Sequence, residues 1–143
     1  MASRSFFTQT STDLLPLLEE LRPLEPIFHT ADFGTSMSDY DRRMAPDYWE
    51  IGASGRRYSR EFILQMLEEE PPIYAETARW RTSGFALRRL GPDIFLLTYT
   101  LTQGKRVTRR ATHWQQAAAG WTILFHQGTV VTADEDDTAP PKS

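Results

Sequence analysis

No cysteine occurs among the 143 residues, so neither disulfides nor thiolate metal sites contribute, and a cytoplasmic location is the expectation. Long apolar runs are lacking too. The opening segment, MASRSFFTQTSTD, has no continuous apolar core of signal-peptide length, and no later stretch approaches the ~20 apolar residues that cross a bilayer. No membrane association is therefore expected. Nor does one sign of charge dominate: 19 acidic residues against 16 basic leave a net charge of −3, which gives no general attraction to a polyanion and argues against nucleic acid as a partner. The only histidines are His29, His113 and His126, and no two have the close spacing of a metal-binding pair, so neither metal nor cofactor is expected. Gly52 and Gly55 lack the third glycine or the lysine of a phosphate loop. Ser54-Gly55 alone makes no nucleophile elbow.

What is present is a soluble globular composition, 40% hydrophobic and 24% charged, which argues against wholesale disorder and fits one domain with one core. Residues 1–12 are polar and rich in Ser and Thr, as in a loosely held arm. The domain is expected over 13–131, and 132–143, with its DEDD run and Pro-Pro-Lys-Ser end, reads as a disordered acidic tail.

Leu14, Leu15, Leu17, Leu18 and Leu21 recur at helical spacing behind Thr12 or Asp13 as cap, with Pro16 tolerable in the first turn and Pro23 and Pro26 as breakers. A short second helix is predicted over 38–44, capped by Ser38 and ended by Pro46. Tyr48 to Ala53 reads as a strand, Ser54-Gly55 as a turn, and Ser59 as the cap of a third helix carrying Phe62, Ile63, Met66 and Leu67. After Pro72 the pattern changes to strands over 73–82, 85–90, 94–101, 106–116 and 121–131, separated by short turns. Helices first and strands after point to an α+β fold, with the helices covering one face of a curved sheet of about six strands.

The order helix, helix, aromatic strand with one acid, turn, helix and long meander resembles the nuclear transport factor 2-like (NTF2-like, or SnoaL-like) superfamily over residues 13–131. Ala53-Ser54-Gly55-Arg56 and Phe125-His126-Gln127-Gly128-Thr129 more narrowly resemble its bacterial branch known as the domain of unknown function 4440 type. That resemblance implies a cone-shaped α+β cavity and a homodimer. It does not fix an activity, because the superfamily includes isomerases, dehydratases, cyclases, binding modules and docking domains.

Glu50 is the candidate general base. In an apolar cavity its pKa would rise by desolvation, which suits proton transfer near neutral pH. Two lines of reasoning conflict over where it points. Strand alternation puts Trp49, Ile51 and Ala53 on the more apolar side and Glu50 on the other, hence outward, where it would meet water or Arg56, Arg57 or Arg60. The resemblance draws it inward, since the catalytic aspartate of ketosteroid isomerases falls on Gly52, two residues along the same side. His126 is the second candidate, as a proton relay or a holder of a ligand oxygen, against the alternative of a structural histidine. Gln127 lies on the opposite side of its strand, so both enter a cavity only if a bulge intervenes, for which Gly128 is the candidate. Trp49, Trp80, Tyr99, Trp114 and Trp121 supply large flat surfaces for a pocket, for a core or for a dimer face, and Arg110 is the guanidinium best placed to turn inward and hold an anion. Two functions stay open: a binding protein with an apolar, aromatic-lined pocket for an apolar or aromatic small molecule, or a cofactor-independent isomerase, dehydratase or cyclase using Glu50 with His126 or Tyr99 as polariser.

Overall fold

The computed structural model describes residues 6–132 and Thr138; the remainder of the arm and of the tail expected from the sequence lies outside the described residues. A 3-10 turn at Thr12–Leu14 leads into helix α1 (Leu15–Leu21), with Pro16 in its first turn, and a second 3-10 turn at Arg22–Leu24 holds Pro23. Leu14, Leu18, Leu21 and Leu24 enter the core, so the leucine periodicity reads through all three segments.

Helix α2 (Met37–Arg43) starts one residue earlier than the sequence predicts, because Ser36 and Asp39 form a reciprocal capping box and Ser38 is left exposed. Its last residue, Arg43, donates to the carbonyls of Phe33 and Trp121 and ties the helix to the sheet. Pro46 does not end that helix. It lies within strand β1 (Met44–Ile51), exposed, at an interval where pairing with the neighbouring strand is irregular and no ladder hydrogen bond is required of it.

The turn after β1 is closed by hydrogen bonds between Gly52 and Arg56 and between Gly55 and Gly52, with Gly55 at φ +90°. A three-residue strand β2 (Arg57–Ser59), not anticipated, pairs back on β1. Ser59 then caps α3 (Arg60–Glu69), as predicted, by accepting from the Phe62 N–H. Of the strand expected over 73–82 only residues 81–82 are strand: Tyr74–Thr77 form a single helical turn, α4, anchored where the Tyr74 hydroxyl donates to Gly34 and the Thr77 hydroxyl to His29. Strand β3 (Arg81–Arg89) follows, kinked at Gly84, whose φ of +66° accompanies a shift of register against β4.

Strands β4 (Ile94–Gln103), β5 (Arg106–Ala117) and β6 (Gly120–Val130) complete an open six-stranded mixed sheet in the order β2-β1-β6-β5-β4-β3. Among the described residues only β1 and β6 pair in parallel, which joins the two ends of the domain side by side. One face of the sheet carries the core. On β4, Phe95, Leu97, Tyr99 and Leu101 are all buried, and on β5 Trp114, Thr112 and Thr108. On β6 the inward set changes parity: Trp121 and Ile123 are buried, then His126 and Gly128. Ile123 faces Trp114 while Phe125 faces the preceding His113, so Leu124 is an extra residue, a bulge that reverses which residues look inward.

Candidate functional site

Beyond that bulge, the inner face presents successive cross-strand rows. Leu97, Thr112, His126 and Glu50 form one row, and Tyr99, Arg110 and Gly128 the next. Where these rows meet the loop Pro26–His29, the packing opens into a cavity of about 220 Å³. Its sheet wall comprises Glu50, His126, Arg110, Arg106, Tyr99, Leu101 and Gln103; its other wall is Trp80 and the loop. Phe28 in that loop sits at φ +68°, a left-handed conformation that costs an aromatic residue about 1–3 kcal/mol and is held by edge contacts to Phe33, Tyr40 and Tyr48.

Glu25, immediately before the loop, is a carboxylate only 4% exposed in the middle of the core. Its Oε1 accepts from the Tyr99 hydroxyl at 2.7 Å and the Ile27 N–H at 3.2 Å, and its Oε2 accepts from the Trp114 indole at 3.1 Å. Burial raises its pKa, opposed by these donors and by the Thr112 hydroxyl. Thr112 Oγ1 lies 2.7 Å from His126 Nδ1. With its hydroxyl turned toward the carboxylate, Thr112 would offer its lone pairs to the ring, the arrangement in which Nδ1 carries the proton and Nε2 keeps its lone pair. Glu25, Thr112 and His126 thus form one polarised chain leading from the core to the cavity wall.

The charges in the cavity are poorly paired. Arg110 donates from Nε to Thr108 at 2.9 Å, while its two Nη nitrogens have no hydrogen-bond partner and no carboxylate within ion-pair reach among the described residues. Its guanidinium rests on Gly128, where a Cβ would come within 3.0 Å of Cζ and Nη1. That close approach, not a bulge, is what the glycine supplies. Glu50 accepts from the Tyr48 hydroxyl at 2.7 Å, and burial raises its pKa against the opposing pull of that hydrogen bond and of Arg110. His126 is pushed down to about 3 by burial and then by Arg110, and His29, whose ring packs edge-on to Trp80, to about 4. Both imidazoles are therefore neutral at physiological pH, each with one ring nitrogen able to donate and one able to accept. Two polar atoms of lining residues, His29 Nδ1 and Gln103 Oε1, are buried out of reach of solvent and have no hydrogen-bond partner among the described residues. Among the described residues no group of three His, Asp or Glu side chains could hold a metal ion.

No protein-family model and no curated protein matches the chain. Solved structures do. An NTF2-like protein of unknown function in nutrient uptake from Rhodospirillum rubrum is 16% identical, with a TM-score of 0.61 over 82% of this chain and 98% of that one. A protein of the DUF3225 family from Pectobacterium atrosepticum is 17% identical, with a TM-score of 0.63 over 85% of this chain and 94% of that one. A putative ketosteroid isomerase from Parabacteroides distasonis is 11% identical, with a TM-score of 0.55 over 86% of this chain and 89% of that one. This chain has the NTF2-like fold.

Within that NTF2-like frame, Glu50, His126, Trp80, Tyr99 and Arg110 are brought together at the cavity. Glu50 points inward with Tyr48, and Trp49 points out: it is 42% exposed and packs edge-on to Phe125 on the opposite face of the sheet. Trp49 is therefore corrected from the lining set, and apolarity was a poor guide because the outer face of this strand carries the larger ring. Gln127 is likewise corrected, since the bulge at Leu124 sends His126 inward and leaves its neighbour on the other side. Trp114 is fully buried beneath the site and serves it through Glu25. Arg60, considered as a partner for Glu50, bonds to Asp41. At Gly52, where the family resemblance would put an aspartate, a Cβ would come within 2.8 Å of the Tyr58 ring, so no acid fits there unless that ring moves.

Sequence reasoning missed Glu25, Thr112, His29 and Gln103. For Glu25 a signal existed: a lone acid in the run Leu24-Glu25-Pro26-Ile27-Phe28, where a solvated position is out of keeping with its neighbours. Thr112 gave none beyond its parity with Arg110 and Trp114.

Proposed function

We propose that this protein binds a small organic molecule in the cavity bounded by Glu50, Arg110, His126 and Trp80. The observation that carries this reading is the combination of volume with unpaired charge: a cavity of about 220 Å³ lined by Arg110, whose Nη pair has no hydrogen-bond or ion-pair partner among the described residues, together with His126 and Glu50. At ~30 Å³ per water that is space for about seven waters, or for a metabolite smaller than most drugs. Trp80, Leu101 and Ile27 give the occupant an apolar wall, so the ligand is amphipathic and not wholly apolar. Native mass spectrometry of the freshly purified full chain tests this. A small-molecule adduct that is absent from Leu101→Trp, which fills the cavity, is expected; an empty protein across several preparations removes the reading.

A second reading, cofactor-independent isomerase, dehydratase or cyclase chemistry, is favoured by Glu50, whose burial beside the Tyr48 hydroxyl lifts its pKa toward the working range of a general acid or base. His126 would polarise the substrate as a neutral acceptor. Titration of Glu50 by carboxyl-carbon NMR decides this: an ordinary carboxylate pKa near 4.5 deprives the enzyme reading of its base.

Self-association through the outer face of the sheet, where Trp49 is exposed against Phe125, belongs to the same proposal. Sedimentation velocity at micromolar concentration checks it, and a monomer alone counts against it. Among the described residues no helix is long and apolar enough to cross a membrane, and a cytoplasmic location remains part of the proposal.

A further inference from the structure

Resting on the binding reading above, we infer that the occupant is a small hydroxy acid. Its carboxylate sits on the Nη pair of Arg110, and its neighbouring hydroxyl donates to Nε2 of His126.

The cation comes first. A largely buried guanidinium with no carboxylate in ion-pair reach among the described residues is an expensive arrangement, and it becomes favourable when an anion arrives. The fork is also aimed. The Nε bond to Thr108 on one edge and the Gly128 surface beneath the plane hold the guanidinium, which leaves the Nη pair as the open edge, the one that takes a carboxylate through two parallel bonds. Arg106 at the mouth adds a second positive charge on the approach.

The hydroxyl follows from the chain behind His126. With Nδ1 committed to Thr112, and Thr112 drawn toward Glu25, the ring offers the cavity only a lone pair. A ligand therefore meets it with a donor. Arg110 and His126 lie on adjacent strands one row apart, a diagonal of about 7–8 Å between Cα atoms, which long side chains close to the span of one carboxylate and its neighbouring hydroxyl. Glu50 is the one group in the wall that would repel the anion. An incoming carboxylate favours its protonated form, in the direction burial already drives it, and turns it into a further donor. Trp80, Ile27 and Leu101 leave room for an apolar substituent on the acid.

Calorimetric titration of the full chain with three probes of nearly equal size tests the assignment: mandelate, mandelamide, which lacks the charge, and phenylacetate, which lacks the hydroxyl. Mandelate should bind about tenfold or more tighter than mandelamide, and about two- to tenfold tighter than phenylacetate. Arg110→Met, which keeps the aliphatic stem, should erase the preference for acid over amide while leaving the fold intact by circular dichroism. Nitrogen-15 NMR of His126 should show the Nδ1-protonated tautomer, with the Nε2 signal moving on mandelate and not on phenylacetate. Equal binding of amide and acid, or an Nε2-protonated ring, overturns the hydroxy-acid assignment and leaves the cavity reading standing. No binding of any probe at tens of millimolar also overturns it, and the adduct seen or not seen by native mass spectrometry then shows whether the cavity reading falls too.

Discussion

The two ends of the sheet's inner face are made of the same strands and behave differently. At one end Phe95, Leu97, Trp114 and Ile123 are fully buried, and Trp121 nearly so; Trp121 packs edge-on to Phe95 and to Trp114, which in turn meets Phe33. At the other end, from His126, which shares a row with Leu97, to Gln103, four rows beyond Phe95, the inward positions include Arg110, His126, Gly128 and Gln103, and the interior is hollow. Glu25 stands at the seam, taking a proton donor from each side: the Trp114 indole from the sealed end and the Tyr99 hydroxyl from the open one. A site here is the place where close packing stops, and the sealed end supplies the rigidity that lets the open end keep unpaired groups.

If that division holds, substitutions should sort by end. The largest effect is expected at the seam: Glu25→Ala strands the Tyr99, Trp114 and Ile27 donors, and since each buried unsatisfied group costs about 1–3 kcal/mol, urea denaturation should show at least about 3 kcal/mol lost. Close behind comes Leu97→Ala in the sealed end, where a fully buried side chain leaves a void and about 2–5 kcal/mol should go. Gln103→Ala at the open end should cost under about 1 kcal/mol by the same assay, and a loss as large as that of Leu97→Ala would break the comparison.

The pH dependence sharpens it. A histidine held neutral to about pH 3 takes up its proton in the unfolded chain first, so stability is lost as pH falls from about 6.5 toward 3, at up to ~1.4 kcal/mol per unit. Glu25 and Glu50, with raised values, act oppositely: their contribution is lost as pH climbs from about 4.5 toward their folded pKa values. The difference between wild type and His126→Gln isolates the histidine, and it should shrink steadily below pH 6.5; a constant difference would mean that His126 is solvated. Smallest in stability is Gly128→Ala. The new methyl group displaces the movable end of Arg110 at a cost of about 1 kcal/mol or less, yet carboxylate binding by calorimetry should fall severalfold.

Much of the fold was legible because the signals are local. The leucine spacing of 14–21, the Ser59 cap and the long β runs after Arg81 each report on a few neighbouring residues. The failures lie where a distant contact overrides the local rule. Residues 73–82 have strand composition, yet Tyr74 and Thr77 are fastened to Gly34 and His29 and curl into a turn. The site was half legible. Arg110 follows from alternation with Thr112 and Trp114, an unbroken strand. Alternation alone misplaces Glu50, because the aromatic ring of Trp49 covers the outer face. Glu25 was hidden among prolines that read as punctuation, and its partners come from strands more than 70 residues away.

The extra residue at Leu124 has a consequence for how such a molecule changes over generations. A point substitution alters one side chain, whereas smoothing out this bulge with the chain length kept would pair Leu124 with His113 and Phe125 with Thr112, turning Phe125 and Gln127 toward the interior and His126 and Gly128 toward bulk water. The cavity would be exchanged for a plug in one step. Gain or loss of chemistry in this architecture is thus a matter of strand register before it is a matter of residue identity.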